Sequence, residues 1–304
     1  FEGYKVHSKI CLIVSASIMV VALILSLCGL GVNYGLDFTG GLSMQYDMGS
    51  AFDEADIKTA LNGLGIESYT ITEQGADTNE VIIRIKEISE DDVQNLQSNF
   101  ETALAEKYPN LTRSGDVNYV GPVAGKTLLT NAFLSVLIAS ALMLVYIAIR
   151  FDLNSGLAAV FGLVHDVLMM LSFMVLLRNV IQMNSSFIAA MLTIVGYSIN
   201  NTIVIFDRIR ENAKKMGPSV PRVDIVNRSV KECLGRTVNT TATTLITIVM
   251  LYVLGVASIR EFALPIIIGI VSGVYSANMI NGYVWAFLEE KRKGRKTPAK
   301  AKVA

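Results

Sequence analysis

The chain has 304 residues, 52% of them hydrophobic and only 17% charged, with a mean hydropathy of +0.48. That balance excludes an ordinary water-soluble domain and indicates an integral membrane protein. Formal net charge is zero, 26 basic against 26 acidic side chains, so the information lies in where the charges fall.

The chain begins at Phe1 rather than Met, which points to a trimmed chain or the downstream part of a longer polypeptide. Lys5, His7 and Lys9 then precede an apolar run, 10–32, in the manner of a secretory signal. The run continues for about twenty residues with no A-x-A-like site after it, so it reads as a retained span. Cys11 and Cys28 belong to this run and Cys233 to a basic segment; no pair is spaced for a disulfide or a CxxC metal site, and all three read as small hydrophobes.

The segment 36–126 is polar and acidic and reads as a small folded domain. "LSMQYDM" alternates like a strand, and "FDEADIKTALNGLG" reads as a helix with acids in its first turn and Gly63 or Gly65 near its end. "SYTITEQ" and "EVIIRIK" read as strands joined by a Gly-Ala-Asp turn. "SEDDVQNLQSNFETALAEKY" predicts a helix capped by Ser89 and ending before Pro109, and "GDVNYV" a last strand. The order β-α-β-β-α-β is that of the ferredoxin-like pattern, which hosts too many activities to identify one.

Five more apolar stretches follow, at 128–149, 156–177, 185–206, 238–257 and 262–288. Each reaches the roughly 20 residues needed to cross a bilayer. The predicted organisation is an N-terminus and first span (1–35), an extracytoplasmic α+β domain (36–126), a five-span bundle (127–288) with a basic cytoplasmic loop at 207–236, and a basic cytoplasmic tail (289–304). The fold class is thus a six-span α-helical membrane protein with one ferredoxin-like domain between spans 1 and 2. Lys and Arg concentrate at the N-terminus, in 207–236 and in the tail, which share one side if there are six spans; by the positive-inside bias that side is the cytoplasm.

Enzyme constellations are absent, and no enzymatic activity is expected. His7 and His165 are the only histidines, so a histidine metal cluster is not expected. "GPVAGKT" (Gly121 to Thr127) has three residues between Gly and Gly-Lys where a nucleotide-binding loop has four; it reads as a turn in which Gly121 and Pro122 set the approach of the second span.

Polar residues inside spans are the sharper signal, since a charge at the bilayer centre costs at least about 2.5–3.5 kcal/mol. Asp166 falls mid-span with His165 beside it; both a buried packing pair and a functional site fit. Neighbours on a helix diverge by about 100°, so the two are expected to need different partners. In "GYSINNTIVIFDRIRE", Asn200, Asn201 and Thr202 form a polar arc before the charged "DRIRE". On the fifth span Arg236, Asn239, Thr240, Thr243, Thr244 and Thr247 line one face, either helix-packing glue or a polar path. Gly269, Ser272, Gly273 and Ser276 on the sixth read as a close-packing seam without chemistry, and Asn278 and Asn281 could join a polar path.

Together "GLDFTGG" (Gly35, Asp37, Gly40 and Gly41 among them), "VGP" (Val120 to Pro122), "HDV" (His165 to Val167), "GYSINNTIVIFDRIREN" and Arg236-Thr237 before the Thr-rich run resemble the SecF members of the SecD/SecF family of bacterial protein export, itself similar to the resistance–nodulation–division superfamily. The resemblance covers nearly the whole chain. It implies a non-enzymatic membrane subunit, driven by the proton motive force, of the translocation machinery in the bacterial cytoplasmic membrane. The implied partners are SecD (as a separate or fused chain), the SecYEG channel, YajC, SecA indirectly, and unfolded preprotein at the external domain; no nucleic acid is expected. No cofactor is implied beyond transported H⁺ or Na⁺. Family members often carry aspartate at the position of Asn201, implied to couple ions with an arginine matching Arg236. An amide cannot titrate, so the resemblance leaves a SecD carboxylate, Asp166, or Na⁺ ligation by Asn201 and Thr202 as routes. His165, Asn200 and Asn239 are supporting polar candidates. A small-molecule exporter subunit and a non-coupled scaffold are the competing readings.

Overall fold

The computed structural model describes residues 3–74, 79–86, 88–115, 117–255 and 257–295. The Gly75–Asp77 turn and the tail beyond Arg295 lie outside them. The described chain divides into two compact units, 34–133 and the remainder.

The smaller unit opens with a single helical turn, α2 (Leu36–Thr39), and continues β1 (Gly41–Asp47), α3 (Glu54–Gly63), β2 (Tyr69–Gln74), β3 (Glu80–Ile85), α4 (Val93–Ala105), β4 (Thr112–Arg113) and β5 (Asn118–Val120). The sheet order is β2-β3-β1 with both β4 and β5 on the far edge of β1, all antiparallel. This is the ferredoxin-like arrangement with its last strand broken in two. Alternation explains the layers: Leu42, Met44 and Tyr46 of β1 and Val81, Ile83 and Ile85 of β3 are at most 1% exposed, and they meet Ile57 and Leu61 of α3 and Phe100 of α4. Asp53 caps α3, accepting from the Ala55 amide at 2.9 Å. Ser89 does not cap α4. A tight turn, Glu90–Asp92, precedes that helix, and the Ser89 hydroxyl donates instead to the Asp92 carboxylate at 2.6 Å.

At the start of β1 the backbone requires glycine. Gly41 has φ +126°, a conformation L side chains rarely adopt, and a Cβ there would strike the Ile85 carbonyl oxygen and sit 2.7 Å from Leu36 Cδ2. Gly41→Ala is expected to destabilise this unit by at least roughly 1–3 kcal/mol from backbone strain alone; limited proteolysis of the 34–133 region reads the loss.

Asp56 ties α3 to the end of α4, accepting from Lys107 Nζ and Tyr108 Oη, both at 2.6 Å. These two bonds hold its carboxyl below the ordinary carboxylate range. A lowered folded-state pKa contributes stability that is present above the unfolded value, about 4, and lost as pH falls through the folded one. Asp56→Asn is expected to flatten the acid limb of unfolding below about pH 4, measured by circular dichroism at graded pH.

The larger unit holds α1 (Gly3–Leu27), the body of α5 (Pro122–Arg150), α6 (Leu153–Leu176), α7 (Ser185–Met216), α8 (Arg222–Leu254), α9 (Ala257–Ser276) and α10 (Gly282–Arg295), with a wider turn of π-helix, Ala277–Asn281, between the last two. Six helical stretches among the described residues are long and apolar enough to cross a membrane, the last running through α9, the π turn and α10. Segment 207–236, read as a loop, is almost entirely helix: α7 continues to Met216 and α8 starts at Arg222. Likewise α5 starts at Pro122, so "GPVAGKT" supplies its first turns; the Gly121 carbonyl accepts the Gly125 amide at 3.0 Å. Helices α6, α7 and α9 form the buried centre, whereas α5 is outward-facing and apolar along most of its length, with Leu137 67% and Leu142 65% exposed. Such a face suits lipid or a second subunit.

Candidate functional site

Small residues let the central helices approach. A Cβ at Gly269 would lie 2.5 Å from Ile194 Cγ1, and one at Gly273 3.2 Å from Ser198 Cβ, so α9 and α7 touch nearly backbone to backbone. At that closeness short hydroxyl side chains reach across. Ser272 and Ser276, one turn apart on α9, and Ser198 on α7 all point at the carboxylate of Asp166, which has no exposure to solvent. The Oδ1 atom accepts from Ser272 at 3.0 Å, and Oδ2 from Ser276 at 2.9 Å and from Ser198.

The fourth neighbour is His165, whose Nδ1 lies 3.0 Å from Asp166 Oδ1. The expectation of different partners is therefore half right. The imidazole folds back onto its neighbour through Nδ1, while Nε2 reaches α1, 2.9 Å from Ser15 Oγ, and lies 3.3 Å from Tyr275 Oη. Both hydroxyls also lie within donating distance of the Cys11 carbonyl oxygen, Ser15 at 3.1 Å and Tyr275 at 3.2 Å.

This network has two complete proton arrangements. With His165 neutral and its proton on Nδ1, the imidazole donates to Asp166 and accepts at Nε2 from Ser15 or Tyr275. With His165 doubly protonated, Nε2–H donates to Ser15 Oγ, and the Ser15 proton turns to the Cys11 carbonyl. Neither arrangement strands a polar group.

The seam on α9 thus both packs and donates, contrary to the sequence reading that gave it no chemistry. Ser15, Ser198, Ser272, Ser276 and Tyr275 were all missed as site residues; the i, i+4 spacing of Ser272 and Ser276 was the available signal.

The other candidates are dispersed. Asn200 faces outward while Asn201 is 2% exposed, which splits the expected arc. Asn201 is one turn from Ser198 on the same face of α7, and its Nδ2 finds no acceptor. Thr202 accepts from Asn281 Nδ2 at 2.9 Å, and Asn278 Oδ1 accepts from Thr237 Oγ1 at 3.2 Å, both bonds fastening the π turn to its neighbours. Arg236, Asn239 and Thr240 are exposed on the outer face of α8, away from Asp166; it is Thr237 and Thr241 that α8 turns inward. Thr243, Thr244 and Thr247 on that outer face satisfy their hydroxyls on carbonyls of their own helix. Gly35, Asp37, Gly40 and Gly41 belong to the other unit, around α2 and the start of β1, with Asp37 in the first turn of α2. Gly121 and Pro122 open α5. No group of three or more metal-ligating His, Cys, Asp or Glu side chains occurs among the described residues.

Comparison with known proteins decides the family. Residues 99–291 match the family described as "Protein export membrane protein SecD/SecF, C-terminal", and residues 25–49 match the "SecD/SecF GG Motif", which contains Gly40 and Gly41. The chain belongs to the SecD/SecF family. Among its relatives, Protein translocase subunit SecF of Endomicrobium trichonymphae is 37% identical over 81% of this chain and 78% of its own. The SecF proteins of Alicyclobacillus acidocaldarius and Rickettsia bellii are 37% and 33% identical, the latter over 92% of both chains. In structure the chain is similar to SecDF, a translocon-associated membrane protein, from Thermus thermophilus, with TM-score 0.81 at 31% identity. That match covers 95% of this chain and 39% of SecDF. SecDF in its super-membrane-facing form gives TM-score 0.64, also at 31% identity. The chain therefore corresponds in length to most of a SecF and to about two-fifths of a SecDF. His165 and Asp166 lie on the third of the six candidate spans; the hydroxyls that cage Asp166 come from the fourth and sixth, and the Ser15 hydroxyl at His165 from the first.

Proposed function

We propose that this chain acts as the SecF-type subunit of the protein-export machinery of the bacterial cytoplasmic membrane. It would pair with a SecD half, separate or fused, and support SecYEG, SecA and YajC in moving preprotein outward. The basic ends of the bundle face the cytoplasm in this reading, and the 34–133 unit faces outward to meet the emerging chain. The outer face of α8, with Arg236, Asn239 and Thr240, is turned toward SecD, where a partner carboxylate can neutralise the arginine.

Within that role the Asp166–His165 pair is the ion-responsive element of this subunit, replacing the titratable group that Asn201 cannot supply. The observation that carries this is the pair of complete hydrogen-bonding arrangements around His165, which differ by one proton. A second reading rests on the oxygen set of the cage. One carboxylate and three serine hydroxyls are the ligand type a hard cation prefers, so Na⁺ is the alternative driving ion.

Proteoliposomes with SecD, this chain, SecYEG and SecA separate the two. Preprotein export stimulated by an imposed gradient is expected to collapse with a proton ionophore and survive a sodium ionophore. The opposite result assigns the cage to Na⁺, and insensitivity to both overturns coupling altogether.

A further inference from the structure

At the basic end of the bundle lies a cavity of about 500 Å³ that the coupling scheme does not use, walled by α7, α10 and the N-terminal ends of α6 and α8. Its charged lining is Arg210, Lys214, Arg222 and Arg292 against Asp152 and Glu289. Both acids are engaged. Asp152 accepts from Ser155 Oγ at 2.6 Å, and Glu289 accepts from Asn154 and lies 3.8 Å from Arg292. Among the described residues, Arg210, Lys214 and Arg222 meet no carboxylate, and the buried Arg222 Nε has no acceptor.

The other face of the same helix end is balanced differently. There Arg208 pairs with Glu211 and Glu232, Lys215 with Glu211, and Arg228 with Glu232. Uncompensated positive charge is thus gathered on the cavity side of α7. Trp285 forms part of the wall, is only 6% exposed, and its indole N–H also finds no acceptor. Two guanidiniums able to fork onto phosphate oxygens, an ammonium, an unpaired indole N–H and the positive end of the α8 dipole together make an anion site.

Its position says which anion. It lies among the ends of helices α6, α7, α8 and α10, each of which belongs to a stretch long and apolar enough to cross a membrane. Basic cavities between spans at the end of a bundle suit phospholipid headgroups. We propose that this cavity binds the phosphate headgroup of an anionic phospholipid, with Arg210, Lys214 and Arg222 as its ligands. The proposal is independent of the role given to Asp166.

Trp285 is the single tryptophan of the chain, so it reports on its own surroundings. The full chain is reconstituted in nanodiscs with equal fractions of phosphatidylglycerol and phosphatidylcholine, one or the other brominated in its acyl chains. Brominated phosphatidylglycerol is expected to quench Trp285 with an apparent affinity about fivefold or more above brominated phosphatidylcholine. Arg222→Gln is expected to bring that ratio close to one, and the exposed Lys214→Gln to lower it without disturbing the fold, which keeps the test open if Arg222→Gln does not assemble. Inorganic phosphate at millimolar concentration is expected to leave the quenching unchanged. Equal quenching by the two lipids in the unaltered chain overturns the proposal. So does reversal by inorganic phosphate, which makes the site one for free phosphate rather than lipid.

Discussion

Asp166→Asn is expected to abolish gradient-stimulated export while ATP-driven export and assembly persist. An asparagine keeps the shape of the side chain, and its amide can accept from two neighbours and donate to a third once the serine hydroxyls rotate. The expected stability loss is roughly 1–2 kcal/mol. What the amide cannot do is balance a protonated His165, so the proton-bearing arrangement disappears. Asp166→Ala behaves differently. It strands Ser198, Ser272, Ser276 and His165 around an empty space, and removing one partner of a buried charged cluster costs about 3–5 kcal/mol. Thermal unfolding of detergent-purified protein beside export kinetics tells these apart. If Asp166→Asn retains full stimulation by the gradient, the pair is structural and the coupling assignment fails.

The second large effect is expected at Gly162, in the centre of α6. A Cβ there would overlap the side-chain amide of Asn281, which is 1% exposed and hydrogen-bonded to Thr202. That amide is the end of a side chain, but it is buried and can move aside only by giving up its bond to Thr202, so Gly162→Ala is expected to cost about 2–4 kcal/mol, overpacking together with the loss of one buried hydrogen bond. The mechanism predicts its own rescue. In Gly162→Ala/Asn281→Ala the overlap is gone, and the double-mutant cycle is expected to show a coupling of about 1–3 kcal/mol. Strict additivity would mean that Asn281 is not what Gly162 accommodates.

The architecture was legible because each of its signals is local. Apolar runs of span length, the alternation of β1 and β3, and the acid-rich start of α3 depend only on neighbours in sequence. Asp166 was legible too, because a carboxylate inside a span is expensive wherever it faces. The cage around it was not. Ser272 and Ser276 sit in a run of small residues that the close packing of α7 and α9 demands anyway, and nothing in the run says that they also aim at a carboxylate on α6. On α8 the pattern left the orientation open. The spacing of Arg236, Asn239 and Thr240 correctly put them on one face, but helical period does not say which face turns inward, and the inward one carries Thr237 and Thr241. For the tandem asparagines too, period puts them on different stripes of α7 without saying which turns inward; only Asn201 is buried.

That outward face of α8 bears on how the protein is made. The threonines there close on their own helix and enter lipid at little cost, but Arg236 and Asn239 have no such internal remedy. Under the proposed pairing, a copy without its partner leaves that guanidinium and amide uncovered, and assembly covers them.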